Sequence, residues 1–223
     1  MGLRVCLAVL AIVMTIVSAG LFVSEYRVFV FTRELTSLQA RAASQDKLPR
    51  PLSGWAQLEM LEYCIEALGD QVFILFSQDD QRQGHMACKE LAEELLEDNP
   101  ANASALTLRA FAQQALGAAP ETIQADLQAS RLAAPKLTWL ADRRLGFAID
   151  SVSEPARSAM IAAEADILLA SRIGVSRLTQ IYTHNPELRP VILPRVEAQP
   201  AQVQRQFLNQ TRQLLRAQSE PSE

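Results

Sequence analysis

The chain has 223 residues, 49% of them hydrophobic and 21% charged, with a net charge of -4, a composition that suits one packed domain plus an appendage and excludes a disordered chain. The sequence pI near 5.4, with basic residues scattered along the chain, lacks the concentrated basic face of a nucleic-acid binder. Two histidines and three cysteines leave three-histidine catalytic sites, all-cysteine zinc sites and cysteine-held iron-sulfur clusters short of ligands; neither G-x-x-x-x-G-K-[ST] nor G-x-G-x-x-G occurs, so no phosphate cradle and no cofactor are expected.

The first element is apolar. Residues 5–24 are twenty positions without a charge, and at about 1.5 Å of rise per residue they cover the ~30 Å hydrocarbon layer of a bilayer. A cleaved signal peptide is the competing reading, because Arg4 supplies a positive start and Val17-Ser18-Ala19 offers small residues at a cleavable position. Apolar character resumes in Leu21, Phe22 and Val23 and again over residues 28–31, beyond the about 7 to 15 residues of a signal-peptide core. Residues 1–24 are therefore read as a retained transmembrane anchor. Two signals for its orientation disagree. Arg27, Arg33, Arg41, Lys47 and Arg50 follow the anchor and only Arg4 precedes it, which favours a cytoplasmic domain, whereas large domains translocate with little regard to charge.

Residues 25–54 read as a juxtamembrane helix, with Val28, Phe31, Leu35 and Leu38 at helical spacing, followed by a linker holding Pro49, Pro51 and Gly54. Residues 55–218 read as consecutive helices, and 219–223 as a disordered tail. In 84–98 the apolar positions Cys88, Leu91, Ala92, Leu95 and Leu96 form one stripe opposite acidic residues, and Asn99-Pro100 ends the helix. The next helix spans 103–116 with Gly117 at its end, and Pro120 opens another that stops at Ala134-Pro135. Further helices are expected at 137–149, 155–171, 175–183, 186–196 and 201–218. The best strand candidate is the apolar run 72–76.

Pro100 and Pro135 lie 35 residues apart, each placed to close the second helix of a pair, with Cys88 and Ile123 equivalent twelve residues upstream. Residues 103–135 resemble the tetratricopeptide unit, a helix pair of about 34 residues. Leu106, Ala110 and Gly117 fall where that family places a large residue, a small residue and the inter-helix glycine, while Ser130 and Gln113 depart from its small and aromatic positions. The fold class this implies is all-α, a single N-terminal transmembrane helix followed by a tetratricopeptide-like array of antiparallel helix pairs. Residues 135–145, 166–169, 178–182, 185–187 and 204–208 are also similar to membrane-anchored helical-repeat proteins of Gram-negative bacteria associated with cell-surface polysaccharide production. That resemblance implies a scaffold in the inner membrane, single-pass, its C-terminal domain in the periplasm beside a polymer-handling or secretion machine.

Cys64 and Cys88 fall on facing helices of the first hairpin, where an oxidised bridge would staple the fold in an oxidising compartment. Two buried thiols acting as small hydrophobes are the other reading, and a separation of 24 residues fixes no geometry. Cys6, inside the apolar stretch, reads as a filler. His85 and His184 are 99 residues apart and read as helix-end polar residues rather than metal ligands. Arg143 and Arg144, with Arg131 and Lys136 nearby, are the candidate surface for an acidic partner peptide or an anionic glycan, against the reading of a solvated face paired with Asp126, Asp142 or Asp150. Trp55 and Trp139 are expected as core anchors. Without a nucleophile elbow or ligand cluster, the expectation is a non-enzymatic membrane-anchored scaffold or adaptor for a protein partner. The alternative is an envelope enzyme or glycan-binding accessory that uses the arginines and the 182–184 edge.

Overall fold

A computed structural model describes residues 2–33, 47–69 and 75–219, and among these every regular element is helical. Helix α1 spans Gly2–Arg33 as one unbroken helix of 32 residues, about 48 Å long at 1.5 Å per residue. It is long and apolar enough to cross a membrane. The uncharged stretch forms its exposed part, whereas Val28 and Phe31 in its last turns are buried. These turns pack on α2, Gly54–Gly69, with Phe31 edge-on to Tyr63 at 5.1 Å between ring centroids. The expected continuation of the stalk through 34–46, most of the strand candidate at 72–76 and the end of the tail lie outside the described residues.

Helix α3, Gln78–Asp98, begins earlier than the apolar stripe suggests. The Ser77 hydroxyl accepts from the Asp80 N–H at 3.2 Å, and Asp79 and Asp80 place negative charge in the first turn, where it complements the helix dipole. Its buried stripe contains Cys88, Leu91, Ala92, Leu95 and Leu96. Helix α4, Ala103–Ala115, restarts at once because Asn102 caps it, its side-chain oxygen accepting from Ala105 N–H at 3.1 Å. The short connection makes α3 and α4 a closely packed hairpin. Pro100 therefore lies inside a hairpin instead of closing a pair, which shifts the pairing away from the expected one. Gly117, at φ 78°, ends α4 in the left-handed conformation: its N–H donates to Gln114 O and Ala118 N–H to Gln113 O, both at 2.9 Å.

Helix α5, Pro120–Ala133, ends just before Pro135. The chain forms two compact units, Met1–Asp126 and Leu127–Glu223, whose boundary falls inside α5. In the second unit α6, Thr138–Ser151, pairs closely with α7, Ala156–Leu169. Helix α8, Arg172–His184, packs on α7 and approaches α6. A 3-10 turn, Pro186–Leu188, leads into α9, Arg189–Glu197, which packs on α7, and α10, Ala201–Ser219, closes over α8. Phe207 of α10 meets Tyr182 of α8 edge-on at 5.2 Å. Leu140, Leu145, Ile161, Leu168, Leu178, Ile192 and Phe207 form this unit's core.

Candidate functional site

Helices α6 and α8 of the second unit leave an open groove of about 290 Å³ between them. Gly146, Ile149 and Asp150 line it from α6, and Arg177, Gln180 and His184 from α8. Glycine at position 146 leaves the floor open: a Cβ there would meet nothing within 4 Å. Arg177 is held along one wall, its Nε donating to Asp142 Oδ1 at 2.7 Å and its Nη1 to Gln180 Oε1 at 3.3 Å. His184 Nδ1 lies 2.7 Å from the Gln180 carbonyl oxygen, which can only accept, so the ring nitrogen donates. The groove thus combines an apolar floor at Ile149 and Ile181 with charge of both signs, and Asp150 and His184 share its exposed rim. Among the described residues, no group of three His, Cys, Asp or Glu side chains could hold a metal ion.

The four basic residues expected to face a partner do not form one surface. Arg144 is fully buried, with 0% exposure. Its Nε and Nη2 donate to the two carboxylate oxygens of Glu164 at 2.9 and 2.8 Å, and its Nη1 donates to Ser130 Oγ at 3.2 Å, so one guanidinium ties α5, α6 and α7 together. The cause lies in helical spacing, because Arg144 falls on the stripe of Leu140, Ala141, Leu145 and Ala148, and Glu164 on that of Ile161, Ala165 and Leu168. Ser130, which departs from the small position of the repeat pattern, supplies the third partner. Arg131 and Arg143 are half-buried and Lys136 is exposed. Asp142 pairs with Arg177, and Asp126 accepts two bonds from Arg109, at 2.8 and 2.6 Å.

In the first unit Cys64 and Cys88 are joined, with Cα atoms 5.9 Å apart and both side chains fully buried, so the bridge ties α2 to α3. Burial pushes the pKa of His85, one turn before Cys88, below its ordinary value. Cys6 is exposed on α1.

The junction between α1 and α2 is held by hydrogen bonds that helical periodicity does not predict. Glu25 is the first charge after the apolar stretch, and its Oε1 accepts from the backbone N–H groups of Ser53 at 2.8 Å and Leu52 at 3.3 Å. Its Oε2 accepts from the Ser53 hydroxyl at 2.8 Å. Ser53 Oγ in turn accepts from Ala56 N–H at 3.1 Å and caps α2. A carboxylate thus sits at the positive end of α2, and Ser24 Oγ adds a bond to Arg50 O at 3.3 Å. Trp55, expected in the core, is 60% exposed beside this junction, while Trp139 is half-buried. The only signal for the junction in the sequence is a lone Glu at the end of the apolar run and a Ser three residues before a helical stripe. No protein family, curated protein or solved structure matches the chain.

Proposed function

We propose that the protein is a membrane-anchored, non-enzymatic adaptor that holds a segment of a protein partner in the groove between α6 and α8. The groove carries the proposal: it is open to solvent, apolar at Ile149 and Ile181 and charged at its rim, which suits a segment of a protein more than a small enclosed substrate. The packing of α8 and α9 on α7, with α8 approaching α6, resembles the stacking of successive helix pairs and supports the tetratricopeptide-like reading for this unit. The anchor is α1. An oxidised Cys64–Cys88 bridge supports a domain in an oxidising compartment, the periplasm, tethered to the inner membrane. A place beside polysaccharide production or export rests on the resemblance alone.

A photo-crosslinking residue at Gln180, used in native membranes, should capture one protein that is not captured from Ile173, which is exposed on α8 outside the groove. Filling the groove with Gly146→Arg should abolish that product. Equal capture from both positions, or capture that survives the filled groove, rules out the groove as the partner site. Asp150 and His184 on one rim are the observation behind the second reading, an envelope enzyme or glycan-binding accessory. Loss of function in His184→Ala with unchanged folding and unchanged crosslinking would favour it.

A further inference from the structure

Three large side chains stand exposed around the α1–α2 junction: Tyr26 at 56%, Leu52 at 52% and Trp55 at 60%. Their height along α1 is set by the bonds from Ser24 and Glu25 to the 50–53 segment. Residues 24 and 25 are also where the uncharged stretch ends and charge begins, which is where a crossing helix leaves the hydrocarbon for the headgroups. Direction follows from a second pairing. Glu25 contacts Ser53 just before α2 begins, and six residues on Phe31 contacts Tyr63 well inside α2, so the last turns of α1 and α2 run the same way. The start of α2, with Trp55 in its first turn and Leu52 just before it, is therefore its bilayer-proximal end. Pro51 is buried and its ring restricts the 50–53 segment.

Aromatic side chains with an apolar body and a polar tip settle at the headgroup level, where the ring leaves water and the N–H or O–H keeps a partner. We infer that Trp55, Leu52 and Tyr26 insert into the headgroup region of the bilayer and form a second, interfacial attachment beside the crossing helix. The inference rests on the reading that α1 crosses a membrane. The occupant is lipid rather than protein because the patch is continuous with the lipid-exposed surface of α1: Phe22, exposed one turn below, stacks on Tyr26 at 6.1 Å between ring centroids.

The test uses the full-length chain in phosphatidylethanolamine–phosphatidylglycerol vesicles doped with phosphatidylcholine brominated either near the headgroup or near the chain end. The wild type should lose tryptophan emission to the shallow quencher and lose less to the deep one. Trp55→Phe, which retains only Trp139, should be insensitive to both; the change is at an exposed position, and the Cys64–Cys88 mobility shift on gels checks its folding. If wild-type emission is unquenched while the protein stays in the vesicles through alkaline carbonate, the interfacial attachment is wrong and the crossing helix stands. If Trp55 emission is blue-shifted without quenching, the patch is covered by protein and the inference is overturned. If carbonate strips the protein, the crossing helix itself is wrong and the attachment falls with it.

Discussion

Arg144 and Glu164 face each other as a two-pronged ion pair inside the second unit, with N–O distances of 2.9 and 2.8 Å and almost no exposure. Such a pair gains strength from its parallel hydrogen bonds and loses it to desolvation, so its presence adds little while its half-removal is severe. Arg144→Met, which strands the carboxylate, should lower the unfolding free energy by about 3–5 kcal/mol. Adding Glu164→Leu should restore most of that loss. Urea titration of the singles and the double decides it: a double variant as weak as the sum of the singles means the two groups act independently.

The bridge between α2 and α3 closes a separation of 24 residues. Replacing both cysteines by alanine should cost about 3 kcal/mol, by freeing the unfolded chain. Reductant should slow the wild type on gels and leave the double variant unchanged. Equal stability of the two under oxidising conditions would remove the bridge from the account of the fold.

Burial holds the imidazolium of His85 below its ordinary pKa. The unfolded chain therefore binds a proton before the folded one does, and stability falls as the pH drops below the unfolded histidine value near 6.5. The contribution is lost as the pH falls through the lower folded value. Comparing thermal midpoints of wild type and His85→Gln between pH 7.5 and 5.5 isolates this contribution, and the variant should show the shallower decline. Parallel curves for the two proteins would refute it.

Two glycines should respond oppositely to alanine. At Gly174 an added Cβ would run into the Leu168 carbonyl and lie 2.7 Å from its Cα, so Gly174→Ala should destabilise by about 1–3 kcal/mol. At Gly146 the space is open, and Gly146→Ala should stabilise α6 by about 0.5–1 kcal/mol. Calorimetric midpoints moving in the same direction would contradict the stated contacts.

Orientation is decided by fusing alkaline phosphatase after Glu223. A periplasmic domain gives an active fusion, and the same cells should show a reductant-dependent mobility shift from Cys64–Cys88. An inactive fusion places the domain in the cytoplasm, as the arginines after the anchor suggest.

Helix ends carried their own chemistry in the sequence, and Asn99-Pro100, Gly117, Pro120 and Pro135 stop or start helices within a residue or two of the expected places. Helix α3 starts before its apolar stripe because Ser77, with Asp79 and Asp80, is a stronger start signal than the first apolar residue of the stripe. Arg144 reads as surface in the sequence because arginine is charged and is rarely fully buried. Its position on an apolar stripe, with Glu164 on the next helix in the same situation, was visible, but their pairing depends on how α6 and α7 face each other. The α6–α8 groove has no linear signature, since its lining comes from two helices that are not consecutive in the chain. Trp55 illustrates the same limit. Its size argues for burial, and only the docking of α1 on α2 shows which side of it remains open.

The carboxylate clasp at Glu25 also bears on how the first unit explores its surroundings. A domain on a slack leash samples a hemisphere above its attachment point and dilutes its binding groups through that volume. If α1 crosses a membrane, the helices joined to it by three hydrogen bonds inherit its tilt and azimuth. Their encounters would become lateral, at one altitude over the bilayer, with the local geometry of the lipid deciding which face is presented. Lengthening or shortening the apolar run by a few residues would then act on the first unit as a change of posture, altering which neighbours it meets without touching any residue that meets them.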